Sequence, residues 1–473
     1  MLFVVPFSLA TIMTTRYCMQ NTLTLSLKHR VIKAAYWTVS GHLMRQLLRL
    51  ATNLVMTRLL APEMFGLMAM VNVLIAGLAL FSDFGLHQNV VQSKRGDDQV
   101  FLDTVWVLQI LRGALLCSLA LLFSVGIYLA GNLHLLPAAT VYADPTLPIV
   151  FAVMSLGVFV AGFESTKTAT AARGLDQRNL ITIDLASQIA GMVVMVLFAI
   201  FNQSVWALVI GGLFSGVVKV AMSHLWIPGN KNSFHIERES FREIFSFGKW
   251  IFLSSILGFL LANGDRLILG ALVSPEILGV YSIAFLMINS AYWVMLNVVV
   301  RVAFPAISET VRNNPGNLHS IYYKFRLRFD LLVFPMAGFL YQSGDWIIKV
   351  LYDTRYFSAG PMLEILAISV LIVPYLLTEQ CYLAQGKAKI LFFSNVIRVV
   401  FLYCALPIGF FSAGLNGGLW AITASAVVFI PMSLFMQKSL GIFDAKRELL
   451  VFPLTALGVF IGFLVDTFLN FAL

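Results

Sequence analysis

Apolar runs of about 20 or more residues recur from one end of the chain to the other, and each is long enough to cross a bilayer as a helix. They fall near 34–60, 64–91, 101–129, 147–171, 179–201, 204–227, 248–273, 277–305, 322–342, 361–384, 388–411, 415–437 and 449–470. The longest polar break, Ile227 to Phe247, reads as a linker between two halves. The expected organisation is an N-terminal extension over 1–27, a first six-helix bundle over 28–227, a cytoplasmic linker over 228–247, a second six-helix bundle over 248–438 and a C-terminal transmembrane segment over 439–473. Met1 to Met13 is apolar but too short to span, and it lacks the basic start and small-residue cleavage site of a secretory signal. It reads as a loosely held extension, or as sequence upstream of a start at Met13 or Met19.

Composition agrees with the pattern. Of 473 residues, 59% are hydrophobic and 12% charged, where a soluble domain carries about 25% charged residues. Mean hydropathy is +0.86, so the class is an all-α polytopic membrane protein. The net charge of +9 would suggest nucleic acid if the basic residues formed a patch. Instead Lys94, Arg95, Arg173, Arg178, Lys231, Arg238, Arg312, Lys387, Lys389, Lys438, Lys446 and Arg447 gather between spans on one side, while the other side holds Arg58, Lys349 and Arg355. That asymmetry is the positive-inside bias; it predicts a cytoplasmic start for the first span and no nucleic-acid partner.

An internal repeat sharpens the architecture. Pro62-Glu63-Met64-Phe65-Gly66 follows the first span, and Pro275-Glu276-Ile277-Leu278-Gly279 follows the seventh, 213 positions later. Ala172-Arg173-Gly174 and Ala384-Gln385-Gly386 lie 212 apart after the fourth and tenth spans. An even offset of six spans keeps both halves in one orientation, related by an axis along the membrane normal. The expected fold is two parallel-repeat six-helix bundles around a central cleft, with an additional C-terminal helix.

Deep charges supply the candidate chemistry. Arg45 and Arg49 stand one turn apart near the middle of the first span, with His42 a turn before and Asn53 a turn after. An arginine at bilayer depth costs roughly 2.5–3.5 kcal/mol even on a permissive scale, so the pair needs a water-filled cavity, a partner or an anionic ligand. Arg112 and Arg398 are comparably deep in the third and eleventh spans, against a single deep acid, Asp265. A cleft lined by Arg45, Arg49, Arg112 and Arg398 favours an anion, and the forked guanidinium matches phosphate oxygens. The competing reading is local neutralisation or snorkelling. Asp265 is a candidate for coupling to H⁺ or Na⁺, or for a structural ion pair. Asp83, Glu164, Lys167, Asp184, Lys219, Arg301, Asp330 and Glu379 fall toward the inner ends of their spans and are assigned no chemistry.

Enzyme signatures do not emerge. Gly248-Lys249-Trp250 and Gly386-Lys387-Ala388 lack the rest of a phosphate-binding loop, and the histidines form no metal-binding pattern, so no metal or cofactor is expected. Cys18, Cys117, Cys381 and Cys404 are scattered singly and read as packing residues. Gly212 and Gly216 form a small-residue face that predicts close helix packing.

Phe81-Ser82-Asp83-Phe84-Gly85-Leu86 with Val90-Val91-Gln92, Leu59-Leu60-Ala61-Pro62-Glu63-Met64-Phe65-Gly66-Leu67, and Asp265-Arg266-Leu267-Ile268-Leu269-Gly270 running on to Gly279-Val280-Tyr281-Ser282 resemble the Wzx-type polysaccharide flippases. This polysaccharide transporter family shares a superfamily with multidrug and toxin extrusion (MATE) transporters and lipid II flippases. The likeness spans about Lys28 to Lys446. It implies a multi-pass bacterial inner-membrane transporter, not an enzyme. Such a protein flips an undecaprenyl-pyrophosphate-linked oligosaccharide repeat unit for lipopolysaccharide, exopolysaccharide or capsule biosynthesis, by alternating access. It further implies a coupling ion and, as protein partners, a polysaccharide polymerase and a chain-length regulator. Family site positions carry over only as cationic cavity positions in the first span. Relatives usually have twelve or fourteen spans, a departure that leaves the side of the C-terminus open. A MATE-like drug or cation exporter is one alternative, which would call for carboxylates at the cavity centre. A membrane-embedded ligase or polymerase is another, which would call for a larger outer loop than Gly131–Thr146 or Gln342–Gly360.

Overall fold

The computed structural model describes residues 36–80 and 86–472. The expected extension over 1–27, Cys18, Asp83 and the stretch from Phe81 to Gly85 lie outside the described residues. The first lobe comprises α1 (36–59), α2 (Pro62–Leu80), α3 (Leu86–Gln92), α4 (Gln99–Asn132), α5 (Thr146–Ala161), α6 (Lys167–Arg173), α7 (Gln177–Phe201) and α8 (Trp206–Leu225). The second comprises α9 (Arg238–Gly270), α10 (Pro275–Val298), α11 (Phe304–Asn313), α12 (Leu318–Leu351), α13 (Ala359–Ala367), α14 (Leu376–Ala384), α15 (Ala388–Val427), α16 (Phe429–Ser439), α17 (Ala445–Leu449) and α18 (Phe452–Ala472). The described residues contain helices and connections but no strand.

Eight helices among the described residues are long and apolar enough to cross a membrane. Long apolar side chains such as Leu121, Leu122, Phe123 and Val125 on α4 are exposed, as befits a surface solvated by lipid. α12, 34 residues long, is not among the eight because it carries Lys324, Arg326, Arg328, Asp330, Asp345 and Lys349, although its apolar run over 322–342 reads as a span. α9 begins at Arg238, so residues 238–247, which hydropathy assigns to the linker, are helical. Hydropathy marks the lipid-crossing part of a helix, whereas polar turns such as these can extend beyond it. α15 folds back on itself at Ala413 and Gly414, whose φ of 62° suits glycine, and Gly409 and Gly417 lie against each other's backbone.

The repeated Pro-Glu motifs open α2 and α10. Each proline sits at the first helical positions, where the missing N–H is no loss, and each glutamate complements the helix dipole. Ser274 caps α10 by accepting from the Ile277 N–H. The two motifs also meet. A Cβ on Gly66 would lie 1.9 Å from the Pro275 carbonyl oxygen, and one on Gly279 would lie 1.8 Å from that of Pro62. The repeat is therefore a reciprocal seam between lobes at one end of the molecule, here called the Pro-Glu end.

Loops of each lobe brace the other across this seam. The Val141 N–H donates to the Val273 carbonyl at 3.3 Å, and the Tyr356 hydroxyl donates to the Leu60 carbonyl at 2.9 Å. Leu60 and Val273 are repeat partners, 213 positions apart. Arg355 donates to the Thr57 carbonyl at 2.9 Å, and Arg58 to the Leu351 carbonyl at 3.1 Å. Met56, Leu60, Met70, Leu278, Tyr281 and Tyr356 are buried in the core that runs through the seam.

At the opposite end, the linker before α9 is strapped to the first lobe. The Ser233 hydroxyl and N–H both donate to Asp103, Asn232 bonds Ser165 and Thr166, and the Phe234 ring packs at a tilt against Trp106 with centroids 4.9 Å apart. Gly212 and Gly216 correct one expectation: the close approach of α7 and α8 is made by Gly191 and Gly211, while Gly212 and Gly216 border a cavity.

A cationic cavity between the lobes

α1 carries Arg45, Arg49 and Asn53 at successive turns, yet their surroundings differ. Arg45 Nη1 meets Asp184 Oδ2 of α7 at 2.7 Å. Lys219 Nζ of α8 lies 3.6 Å from Asp184 Oδ1 and 3.6 Å from Glu164. Arg45, Asp184, Lys219 and Glu164 thus form a ladder of alternating charge inside the first lobe. The sequence expectation that deep acids are too scarce to partner the first-span arginines is corrected for Arg45. Hydropathy assigned Asp184 and Glu164 to span ends and could not show that they face α1.

Arg49 has no carboxylate within ion-pair distance among the described residues. It lines a cavity of about 450 Å³ together with Thr52, Asn53, Asn72, Gln188 and Arg266. Arg266 belongs to α9, so the two guanidinium groups come from different lobes. Arg266 is held by its own helix: Nη2 donates to the Ala262 carbonyl at 2.8 Å and to Asn263 Oδ1 at 3.0 Å, and the group lies 4.3 Å over the Phe285 ring. Its Nε has no hydrogen-bond partner and stands 3.8 Å from Asp265 Oδ1. Toward the Pro-Glu end, the Tyr352 hydroxyl donates to Asn53 Oδ1 at 3.3 Å. Sequence reasoning missed Arg266, though the repeat contained the signal. Position 266 is 213 residues after Asn53, one turn from Arg49, so Arg49 and Arg266 occupy neighbouring turns of equivalent helices.

The other sequence candidates lie elsewhere. Arg112 borders a cavity of about 680 Å³ within the first lobe, with His87, Gln109 and Glu164, and its Nη2 donates to the Ala79 carbonyl at 2.8 Å. Asn72, Met154 and Gly212 line both this cavity and the interlobe one. Arg398 and Asp265 border a third cavity, of about 330 Å³, in the second lobe. Asp265 Oδ2 accepts from the Tyr281 hydroxyl. Among the five candidate positions, Arg49 alone lines the interlobe cavity, and Arg45 lines none of these three. Among the described residues no cluster of three or more His, Cys, Asp or Glu is placed to hold a metal.

One charged cluster escaped the sequence altogether. Arg326 is 1% exposed; it pairs with Asp330 at 2.7 Å and Glu448 at 3.2 Å, and it lies 3.6 Å over the Tyr375 ring. Glu448 belongs to the short α17 that leads into α18, and a Cβ on Gly458 would lie 2.0 Å from the Pro335 carbonyl oxygen of α12. The C-terminal helix is therefore fastened to α12 by ions at one end and by close backbone approach along its length.

Comparison with known proteins joins these features. The polysaccharide biosynthesis protein family matches residues 55–361. The chain is 23% identical over 405 residues to the lipopolysaccharide biosynthesis protein WzxC of Escherichia coli (strain K12), covering 83% of this chain and 78% of that one. It is 23% identical over 432 residues to the succinoglycan biosynthesis transport protein ExoT of Rhizobium meliloti (strain 1021), covering 89% and 84%. Among solved structures, the inward closed lipid II flippase MurJ superimposes with a TM-score of 0.68 at 13% identity, over 92% of this chain and 93% of that one. An inward-facing multidrug resistance MATE family transporter gives 0.63 at 15% identity, over 86% and 100%. These likenesses establish the two-lobed transporter fold.

Proposed function

The chain belongs to the polysaccharide biosynthesis protein family, and we propose that it moves an undecaprenyl-pyrophosphate-linked oligosaccharide across the bacterial inner membrane by alternating access. It is a multi-pass membrane transporter of polysaccharide biosynthesis, not an enzyme. The observation that carries the finer reading is the pair Arg49 and Arg266, two guanidinium groups from opposite lobes on one cavity, with no acid paired to Arg49 among the described residues. Like charges facing one space favour an anion that can bridge them, and a pyrophosphate offers oxygens to both forks. Because each lobe supplies one arginine, a bound pyrophosphate would tie its own position to the relative position of the lobes. A cationic drug would meet two positive groups in the same cavity, which disfavours the exporter alternative.

The proposed orientation puts the linker end in the cytoplasm, in keeping with its basic residues. The Pro-Glu seam then closes the periplasmic side, and transport requires that seam to part. The polymerase and the chain-length regulator expected from the resemblance stay partners of this proposal. The reading is tested in the producing bacterium with an Arg49→Gln/Arg266→Gln double variant. It should abolish polymer display and accumulate lipid-linked precursor while inserting normally, whereas undiminished display would overturn it.

A further inference from the structure

Asp265 and Arg266 are consecutive on α9 but open onto different cavities. Arg266 faces the interlobe cavity, Asp265 the second-lobe cavity of about 330 Å³, and Phe285 lines both. The smaller cavity has an unusual lining. Asp265 is 4% exposed and its Oδ1 has no hydrogen-bond partner; Arg398 is 9% exposed and its Nε has none. Asp265 Oδ1 stands 3.8 Å from Arg266 Nε; buried polar atoms are nearly always satisfied, so two charged side chains with unsatisfied atoms among the residues lining one space point to a ligand or water that bonds both.

The rest of the lining narrows the ligand. Asn289 and Ser369 add further hydrogen-bonding groups, and Tyr292 and Trp293 add aromatic surface. Opposite charges at Asp265 and Arg398 disfavour both an anion and a cation. Arg266, 3.8 Å from Asp265, counts further against a coupling cation there. Hydroxyl groups that donate to one and accept from the other, on a ring with an apolar C–H face for the aromatics, describe a glycosyl residue. The volume lies at the lower end of small-molecule sites, which suits one sugar rather than a whole repeat unit.

The first-lobe cavity, though larger, lacks the aromatic part of this chemistry among its described residues. Gln109 Nε2 is already committed to the carbonyls of Ala161, Gly162 and Glu164, and among the described residues no Phe, Tyr or Trp lines the space. We propose that the Asp265–Arg398 cavity holds the glycosyl residue next to the pyrophosphate and thereby discriminates among lipid-linked glycans. This rests on the reading of Arg49 and Arg266 as the pyrophosphate site, since Asp265 and Arg266 are adjacent in the chain and Phe285 lines both cavities.

The test uses full-length protein in lipid nanodiscs and two probes: undecaprenyl pyrophosphate, and the lipid-linked repeat unit extracted from the producing strain. The wild type should prefer the glycosylated lipid by about tenfold or more, because a site built to hydrogen-bond hydroxyls rejects a ligand that lacks them. Arg398→Gln and, separately, Asn289→Ala should reduce that preference to about twofold or less. A preference retained in both variants, or absent from the wild type, overturns the sugar subsite. Failure of the wild type to bind either lipid would instead overturn the pyrophosphate reading, and this inference with it.

Discussion

Gly66 and Gly279, equivalent residues of the two halves, each rest against the backbone that opens the other's helix, Gly66 on Pro275 and Gly279 on Pro62. A side chain at either position has no room. Gly66→Ala would put its Cβ 1.9 Å from a carbonyl oxygen, so α2 and α10 must part. Overpacking of this kind costs about 1–3 kcal/mol, here charged to the sealed state. The expected result is faster modification of a Ser282→Cys reporter in the interlobe cavity by a water-soluble maleimide, by about tenfold. Gly126→Ala, where nothing lies within 4 Å, should leave the rate unchanged.

Arg45 and Arg49 should separate genetically. Because Arg45 is paired with Asp184, an Arg45→Gln defect arises partly from the acid left behind, and adding Asp184→Asn should restore polymer display. The same addition should not rescue Arg49→Gln. Equal rescue of both would place the two arginines in one structural network.

Arg326 ties α12 to the segment that leads into the C-terminal helix. Arg326→Met leaves Asp330 and Glu448 buried without their cation and should lower unfolding stability in detergent by about 3–5 kcal/mol. Replacing all three by apolar residues of similar volume should recover most of that loss. A thermal midpoint unmoved by Arg326→Met would contradict the assignment.

The linker strap should loosen in acid. Arg95 bonds Asp98 at 2.8 Å and Glu237 at 2.6 Å. The Arg95 bond holds the Asp98 carboxyl below its usual range; Glu237 is held down first by the Ser240 hydroxyl and then by Arg95. Folded-state values below the unfolded ones mean a contribution complete at neutral pH and lost as pH falls through the folded values. A nitroxide at Lys231→Cys should therefore give an unchanged spectrum from about pH 7 to 5 and mobilise below about pH 4. Arg95→Ala should mobilise it at neutral pH, and a label indifferent to both would refute the strap.

How far the sequence could be read depended on whether the signal was local. Pro62 and Pro275 were legible because a proline and an acid at a helix start have a fixed local meaning. Their contact was not, since it rests on two glycines that meet only when the halves assemble. Arg49 was legible from its depth. Asp184, the partner of Arg45, lies 139 positions away, and hydropathy measures depth along a span but not the direction a side chain faces. The same limit hid Arg266, which the 213-residue repeat aligned with Asn53. Arg326 was hidden differently: its segment reads as a span over 322–342, but its partner Glu448 lies 122 positions away.

Arg49 and Arg266 are proposed to hold a pyrophosphate together between the lobes. The most direct test is binding of undecaprenyl pyrophosphate to the purified protein in nanodiscs, compared among wild type, Arg49→Gln/Arg266→Gln and Arg49→Lys/Arg266→Lys. The account predicts at least about a hundredfold loss of affinity in the glutamine variant, and partial retention with lysine, which keeps the charge but not the fork. Wild-type affinity in the glutamine variant, with its fold intact, would contradict it.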